Sequence, residues 1–220
     1  MTSSAYGFAH LFSGLMLVAS FALLYQGRML AVLRIFAIQA IMLALAVSWQ
    51  AYIQERPHLL ITAVLALLIK GIGIPYKLRS MIYELGVHRT VEKVVGVGLT
   101  MLAGLALVAL SLSVMLKATS GVPSFAREEL AIALAIVLLG ILMMITRRNA
   151  ITQIIGFMSI ENGLILGATG ASGMPFVVEI SVAFSVLVSL FVFAMVTFGI
   201  RERFDTVDVD QIDKARGGQA

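Results

Sequence analysis

The chain has 220 residues, of which 60% are hydrophobic and 13% charged, and its mean hydropathy is +1.00. These values exclude a soluble globular domain and indicate a polytopic membrane protein. The absence of cysteine excludes iron–sulfur clusters, thiolate metal sites, thiol catalysis and disulfides in this chain. The formal net charge of +4 does not indicate nucleic-acid binding, because the basic residues cluster at predicted helix ends.

Seven apolar runs approach or exceed the roughly 20 residues that a helix needs to cross the hydrocarbon core. We therefore predict an all-α, multi-pass membrane fold, and a first run that is retained as a mature helix because no positive signal-peptide region precedes it. The predicted helices span, in chain order, residues 6–25, 29–53, 58–76, 94–116, 128–146, 149–169 and 175–200. Between the third and fourth, residues 77–93 carry a helical apolar stripe, which predicts an amphipathic helix lying on the membrane surface.

The predicted helices form a single membrane domain over residues 1–220. Four N-terminal helices occupy residues 1–126, a three-helix part occupies 127–203, and a charged tail follows at 204–220.

The lysines and arginines are distributed unevenly between the two sides of the predicted helices. With the N-terminus outside, twelve of them fall in inside segments and three, Arg56, Lys117 and Arg127, fall outside. The positive-inside rule therefore favours an outside N-terminus and a cytoplasmic C-terminus, and seven crossings agree with that parity.

Three charged residues fall within predicted spans: Lys70 in the third helix, Glu161 in the sixth and Glu179 in the seventh. An ionisable group near the bilayer centre costs about 2.5–3.5 kcal/mol on insertion scales, so such residues are rare and typical of ion pathways. Lys70 and Glu161 each lie about 12 residues, or roughly 18 Å, from one end of their helices, which places both near mid-depth. Glu179 is shallower, toward the outer face.

These three residues are the candidates for proton transfer. A carboxylate in a low-dielectric environment can exchange a proton near neutral pH, and a nearby lysine tunes that exchange. The alternative is a buried Lys–Glu pair that only fixes helix packing. For Lys70, two further interpretations stay open: the glycines and proline of residues 71–75 break the helix, as in transporters, or the side chain snorkels to the interface.

No nucleophile–base pair, metal-spaced cluster or cofactor motif occurs in the sequence. We therefore predict no catalytic residue, no metal ligand and no cofactor-binding residue in this chain.

The last three predicted helices resemble a known family. The motif VVEISVAF at 177–184, which contains Glu179, is similar to the last helix of subunit K of NADH-quinone oxidoreductase (complex I), and to that of its relative in Mrp-type cation/proton antiporters. Ile154-Ile155-Gly156 and Glu161-Asn162-Gly163 are similar to its middle helix. The family glutamate usually lies two residues after the glycine, whereas Glu161 lies five after Gly156, a shift of about one helical turn.

From residue 6 to residue 203 the chain also resembles the hydrogenase-4 component E family. The shared features are the size, a third helix with lysine and proline (Lys70 and Pro75) and the Glu-Asn-Gly of the sixth helix. This family belongs to complex-I-like assemblies built around group 4 NiFe hydrogenases, such as formate hydrogenlyase.

The resemblance implies a non-redox membrane-arm subunit in the cytoplasmic (inner) membrane of a bacterium or archaeon. Its partners would be antiporter-like and quinone-channel-like membrane subunits and a soluble redox arm, together with the lipid bilayer. The NiFe centre, iron–sulfur clusters or quinone would belong to those partners. Two other functions remain open, a subunit of an Mrp-type cation/proton antiporter and a purely structural membrane scaffold.

Overall fold

The computed structural model of the protein describes residues 2–84, 94–119, 121, 124–170 and 187. Helices account for nearly all of these residues, as the apolar runs predict. The elements, in chain order, are α1 (Thr2–Tyr25), α2 (Met29–Ile53), α3 (His58–Leu65), a π-helical segment (Ala66–Gly73), α4 (Ile74–Glu84), α5 (Val97–Ala118), α6 (Ser124–Thr146) and α7 (Ala150–Gly170).

Six helical stretches of the described chain are long and apolar enough to cross a membrane. They are Gly7–Tyr25, Met29–Ile53, His58–Ser80 (hereafter the third span), Val97–Ala118, Ala126–Thr146 and Ala150–Gly170. The chain is therefore a multi-pass membrane protein with a helical fold. The seventh predicted helix, 175–200, lies outside the described residues apart from Leu187, which is helical.

The helix bounds agree closely with the sequence predictions except in the third span. There the prediction of a helix that ends at Tyr76, followed by a separate surface-lying helix, is wrong. Helical structure continues through Pro75 to Glu84, and Ile74, Leu78 and Ile82 are buried one turn apart against the core. Residues 85–93, the rest of the predicted surface helix, lie outside the described residues.

The π-helical segment explains why the helix continues through Pro75. The Ile74 N–H donates to the carbonyl of Ile69, five residues back, in place of the α-helical bond to the fourth residue. A π-helical turn widens the helix and changes which carbonyls need a donor. The proline, which has no N–H to offer, follows directly after this change of register, so the expected break is absent.

Consecutive spans run in alternate directions and give the bundle two ends. We call the end that contains Arg28, Arg147 and Arg148 the arginine end. The Val94 N–H donates to the Thr146 carbonyl at 3.0 Å, so the residues just before α5 return to this end as well. The opposite end contains the turn between α2 and α3, the last residues of α5, the first turns of α6 and the end of α7.

Of the six spans that the structure describes, α7 is the most enclosed and α5 the least. In the most hydrophobic stretch of each helix, 67% of α7 residues are buried, compared with 17% of α5 residues. Glycines bring α6 and α7 close together: a Cβ atom on Gly156 would lie 3.1 Å from the Gly140 carbonyl oxygen, and one on Gly163 would lie 2.9 Å from that of Ala133. Small residues allow such close approach between membrane helices. The site described next is built around α7.

Candidate functional site

Lys70 lies in the π-helical segment of the third span, and its side chain is completely buried, with 0% exposure. Its Nζ atom lies 3.2 Å from Oε1 of Glu161 and donates a hydrogen bond to Oδ1 of Asn162 at 3.0 Å. The ammonium group therefore has a carboxylate and an amide oxygen as partners, both from α7. The snorkelling interpretation of Lys70 is wrong, because the side chain points into the bundle.

Glu161 is 2% exposed and, like Asn162 beside it, lies on the buried surface of α7. It is eleven residues after the first residue of α7 and nine before the last, or about 16 Å and 14 Å along the helix axis. The ion pair is therefore close to the middle of the bundle. Removing two ions from water costs several kcal/mol per ion, and their attraction repays this only with close geometry and further hydrogen bonds.

Those further hydrogen bonds extend from Asn162 across two more helices. Asn162 Nδ2 donates to Gln39 Oε1 of α2 at 3.2 Å. Gln39 Nε2 in turn donates to the hydroxyl of Ser20 on α1 at 2.7 Å and to that of Ser159 on α7 at 2.9 Å. Four spans thus contribute to one buried polar network.

The hydrogen bonds of this network run in one direction, away from the charge. Lysine donates to asparagine, asparagine to glutamine, glutamine to serine, and Ser20 to the Met16 carbonyl at 2.9 Å. Hydrogen bonds that donate in series polarise one another and strengthen the chain. We call Lys70, Glu161, Asn162, Gln39, Ser20 and Ser159 the central polar network.

Apolar side chains enclose the central polar network on both sides. Toward the arginine end lies a cluster that includes Phe36, Ile155 and Met158, and toward the opposite end a cluster that includes Leu43, Val47 and Ile165. Electrostatic interactions are strong in such an environment, and an incomplete ion pair is correspondingly costly.

A cavity of about 280 Å³ lies between α2 and the third span, toward the arginine end. Its wall includes Gly71, which follows Lys70 in the π-helical segment, and the exposed side chains of Arg34 and Arg79. The cavity therefore extends from the charged end of the bundle to the turn of helix that carries Lys70.

A second buried carboxylate, Glu129 of α6, was not predicted from the sequence. It is 0% exposed, and its Oε2 atom accepts a hydrogen bond from Nε2 of Gln50 at 2.7 Å. From its position in the sequence, Glu129 is expected only to lie in the first turn of a helix, at the membrane–water interface. The sequence does contain a pattern that could have revealed its burial. One buried face of α6 consists of residues at helical spacing that include this glutamate: Glu129, Ala133, Ile136, Gly140 and Met143.

Arg147 makes more specific contacts than the positive-inside rule implies. Its Nη2 atom donates to the carbonyls of Leu23 at 3.1 Å, Leu24 at 2.7 Å and Gln26 at 3.0 Å, which satisfies the C-terminal end of α1. Burial lowers the pKa of the Arg147 guanidinium, but arginine starts from so high a value that the charge is kept.

Of the predicted site residues, the structure brings Lys70 and Glu161 together, and Glu179 lies outside the described residues. Asn162 and Gln39 join them as partners. Among the described residues, no group of three or more histidine, aspartate or glutamate side chains is placed to hold a metal ion.

The amino-acid sequence is 25% identical to the uncharacterized protein Rv0085 of Mycobacterium tuberculosis over 209 residues, which cover 93% of this chain and 94% of that protein. No family model matches the chain, and no solved structure matches it. The chain is thus similar, over nearly its whole length, to a protein whose name assigns no function.

Proposed function

We propose that this protein is a non-redox membrane subunit of a complex-I-like oxidoreductase complex, in which Lys70 and Glu161 take part in moving protons or other ions across the membrane. The observation that carries this proposal is the fully buried ion pair near the middle of the bundle. We further propose seven spans, an outside N-terminus and a cytoplasmic C-terminus, in the cytoplasmic membrane of a bacterium or archaeon.

The energetics of the pair support an ion-conducting role. Well-packed apolar side chains of the same volume are often as stable as a buried ion pair or more stable, so packing alone gives little reason for the charges. A proton that reaches Glu161 neutralises the carboxylate and removes the attraction that holds Lys70. The hydrogen bond from Lys70 to Asn162 is unaffected by that proton, so a single protonation changes the balance of contacts at the centre of the bundle.

The π-helical segment and the cavity next to Lys70 would allow the bundle to respond when Glu161 is protonated. π-Helical turns are rare in proteins, and those that occur are often at functional sites. The cavity beside Gly71 leads from the arginine end toward this turn. Water in the cavity would let protons approach Lys70 from the side that we propose to be cytoplasmic.

The assignment to a redox-driven complex rests on the resemblance of the sequence motifs to those of hydrogenase-4 component E and subunit K. In this proposal the NiFe centre, iron–sulfur clusters and quinone belong to partner subunits, and Glu179 is a further proton carrier toward the outer face. Purification of the tagged chain from its native membrane in mild detergent, with mass spectrometry of the accompanying proteins, tests the assignment. A hydrogenase large subunit or quinone-reductase module supports it, whereas antiporter subunits alone would indicate an Mrp-type complex.

The test of the ion-conducting role uses the assembled complex. Replacing both Glu161 and Glu179 with glutamine should abolish coupled proton movement into vesicles and leave electron transfer to a dye unchanged. Glu128→Gln is the matched control, since this glutamate is at the exposed end of α6 with a side chain 58% exposed. Normal proton movement in the double variant would refute the role.

A structural scaffold is the second candidate, and the observation that favours it is the central polar network. Hydrogen bonds from four spans meet there, as expected if the polar groups only hold the helices in register. In that case the glutamine variants would assemble poorly, while the complexes that do assemble would move protons at the normal rate per complex.

A further inference from the structure

Glu129 differs from Glu161 in what surrounds its carboxylate. Glu129 Oε2 accepts from the neutral amide of Gln50, and Gln50 is itself braced by Gln54, whose Nε2 donates both to Gln50 Oε1 at 3.0 Å and to the Thr169 carbonyl at 2.8 Å. Gly170 leaves room for the carboxyl group: a Cβ there would lie 2.9 Å from Glu129 Cδ. The side chain is thus enclosed by α2 and the end of α7.

No cation approaches this carboxylate within ion-pair distance in the part of the chain that the structure describes. The charged or titratable groups nearest along α6 are Arg127 and Glu128, and Glu128 pairs instead with His10 of α1 at 3.4 Å. On α5, the titratable residue is Lys117, in the last turn. The neighbouring residues of α2 and α7 are the neutral Gln50, Gln54, Thr169 and Gly170.

The second carboxyl oxygen, Oε1 of Glu129, is buried without a hydrogen-bond partner among the described residues. An ionised carboxylate in such a place carries a desolvation penalty of several kcal/mol that one amide hydrogen bond does not repay. The neutral acid avoids this penalty, because its charge is removed and its carbonyl oxygen can still accept from Gln50. Glu161, by contrast, has the Lys70 ammonium 3.2 Å from its Oε1 atom, which favours the ionised form.

We propose that Glu129 is a second proton-binding site, which holds its proton at neutral pH and forms a stage of the ion path nearer the end of the bundle opposite the arginine end. Glu161 and Gly170 are nine residues apart on α7, so the two carboxyl groups lie at levels about 14 Å apart along the helix axis. The position on the path rests on the function proposed above; the bound proton does not.

Infrared spectroscopy of the full-length protein in liposomes tests the bound proton directly. The spectrum of the unchanged protein minus that of Glu129→Gln should contain the carbonyl band of a protonated carboxylic acid at neutral pH, and this band should shrink as the pH rises. The difference for Glu161→Gln should contain the bands of an ionised carboxylate instead. Ionised carboxylate bands in the Glu129→Gln difference would overturn the proposal.

A chemical measurement covers the case in which Glu129→Gln does not fold. A lipid-soluble carbodiimide reacts with a protonated carboxyl group: the acid proton moves to a carbodiimide nitrogen, the carboxyl oxygen bonds to the central carbon, and rearrangement leaves a stable acylurea. Mass mapping of the unchanged protein should find the adduct on Glu129 and not on Glu161. In Lys70→Met, Glu161 should react too. A Glu129 that stays unmodified while Glu161 of that variant reacts would refute the bound proton.

The place of Glu129 on the path has a separate readout. In the assembled complex, Glu129→Gln should slow proton movement about 100-fold, the usual order for loss of a proton-transferring group, with dye-linked electron transfer unchanged. A protonated Glu129 with normal proton movement would remove it from the path. Normal movement in the Glu161 and Glu179 variants would instead refute the proposed function and leave the Glu129 result intact.

Discussion

Lys70 and Glu161 stabilise the bundle only as a pair. If Lys70 is replaced by methionine, Glu161 loses the cation beside it and must take up a proton to stay buried, so the free energy of unfolding at neutral pH should fall, by up to about 3–5 kcal/mol. The double replacement Lys70→Met with Glu161→Leu removes both charges and should recover most of that loss. Equilibrium unfolding in mixed detergent micelles measures both.

The control for this prediction is Lys117→Met, which changes an exposed lysine in the last turn of α5 and should leave the free energy of unfolding within about 0.5 kcal/mol. Equal stability of Lys70→Met and the double variant would mean that the loss of the cation beside Glu161 has no energetic cost.

The neighbouring residues Arg147 and Arg148 should respond differently to replacement by alanine. Arg147 is buried and makes three hydrogen bonds to carbonyls at the end of α1, whereas Arg148 is exposed. Hydrogen bonds to charged groups contribute about 1.5–3 kcal/mol, so Arg147→Ala should lower the free energy of unfolding by at least that amount. Arg148→Ala should change it little; equal losses in the two variants would contradict the capping role.

Lys70 and Glu161 can be identified from the sequence, whereas their pairing and the burial of Glu129 cannot. The cost of a charge in an apolar run can be read locally, which is why Lys70 and Glu161 stood out. Their pairing depends on which helices pack together, and the burial of Glu129 depends on Gln50 and Gly170, which are 79 residues before it and 41 after it in the chain.

At the scale of elements, the packing of α6 against α7 depends on glycine. A methyl group on Gly163 would lie 2.9 Å from the Ala133 carbonyl oxygen and from Val137 Cγ2, so Gly163→Ala must push the helices apart. Overpacking of this kind costs about 1–3 kcal/mol. Thermal unfolding in detergent should show the loss, and because Asn162 is adjacent, proton movement should fall as well.

The control for the glycine prediction is Gly14 in α1, where a Cβ atom would meet no atom within 4 Å. Alanine is a better helix former than glycine by up to about 1 kcal/mol, so Gly14→Ala should be neutral or stabilising. A stable Gly163→Ala variant would show that α6 and α7 have room to separate at no cost.

Helix positions were more predictable than the form of the third span. Met29–Ile53 was predicted to the residue, because an apolar run bounded by a polar turn defines a membrane helix by its own composition. The continuation of the helix through Pro75 was not predicted. Proline removes one hydrogen-bond donor wherever it occurs, and here the preceding π-helical turn decides that the helix does not break.

At the scale of the whole molecule, the number and direction of the spans can be measured with single cysteines. The chain has no cysteine of its own, so each introduced thiol is unique. A membrane-impermeant maleimide added to intact cells should label Glu55→Cys and Lys117→Cys, at the outer end of the proposed arrangement. Arg148→Cys should react only after the membrane is permeabilised.

A cysteine at Ala220 distinguishes six spans from seven. With seven spans it should behave as Arg148→Cys does, because one more crossing after α7 returns the tail to the cytoplasm. Labelling of this position in intact cells would mean an even number of crossings, and labelling of Arg148→Cys in intact cells would reverse the orientation.

The sequence alone determined that this is a helical, multi-pass membrane protein, where most of its helices begin and end, and that Lys70 and Glu161 are anomalous. These properties follow from hydrophobicity and length, which each segment has by itself. The tertiary structure decided that Lys70 reaches Glu161 and Asn162, that Gln39 and Ser20 continue the network, and that Glu129 is enclosed without a cation among the described residues. Those properties belong to contacts between helices, and contacts are set by the close approach of α7 to its neighbours rather than by any local pattern.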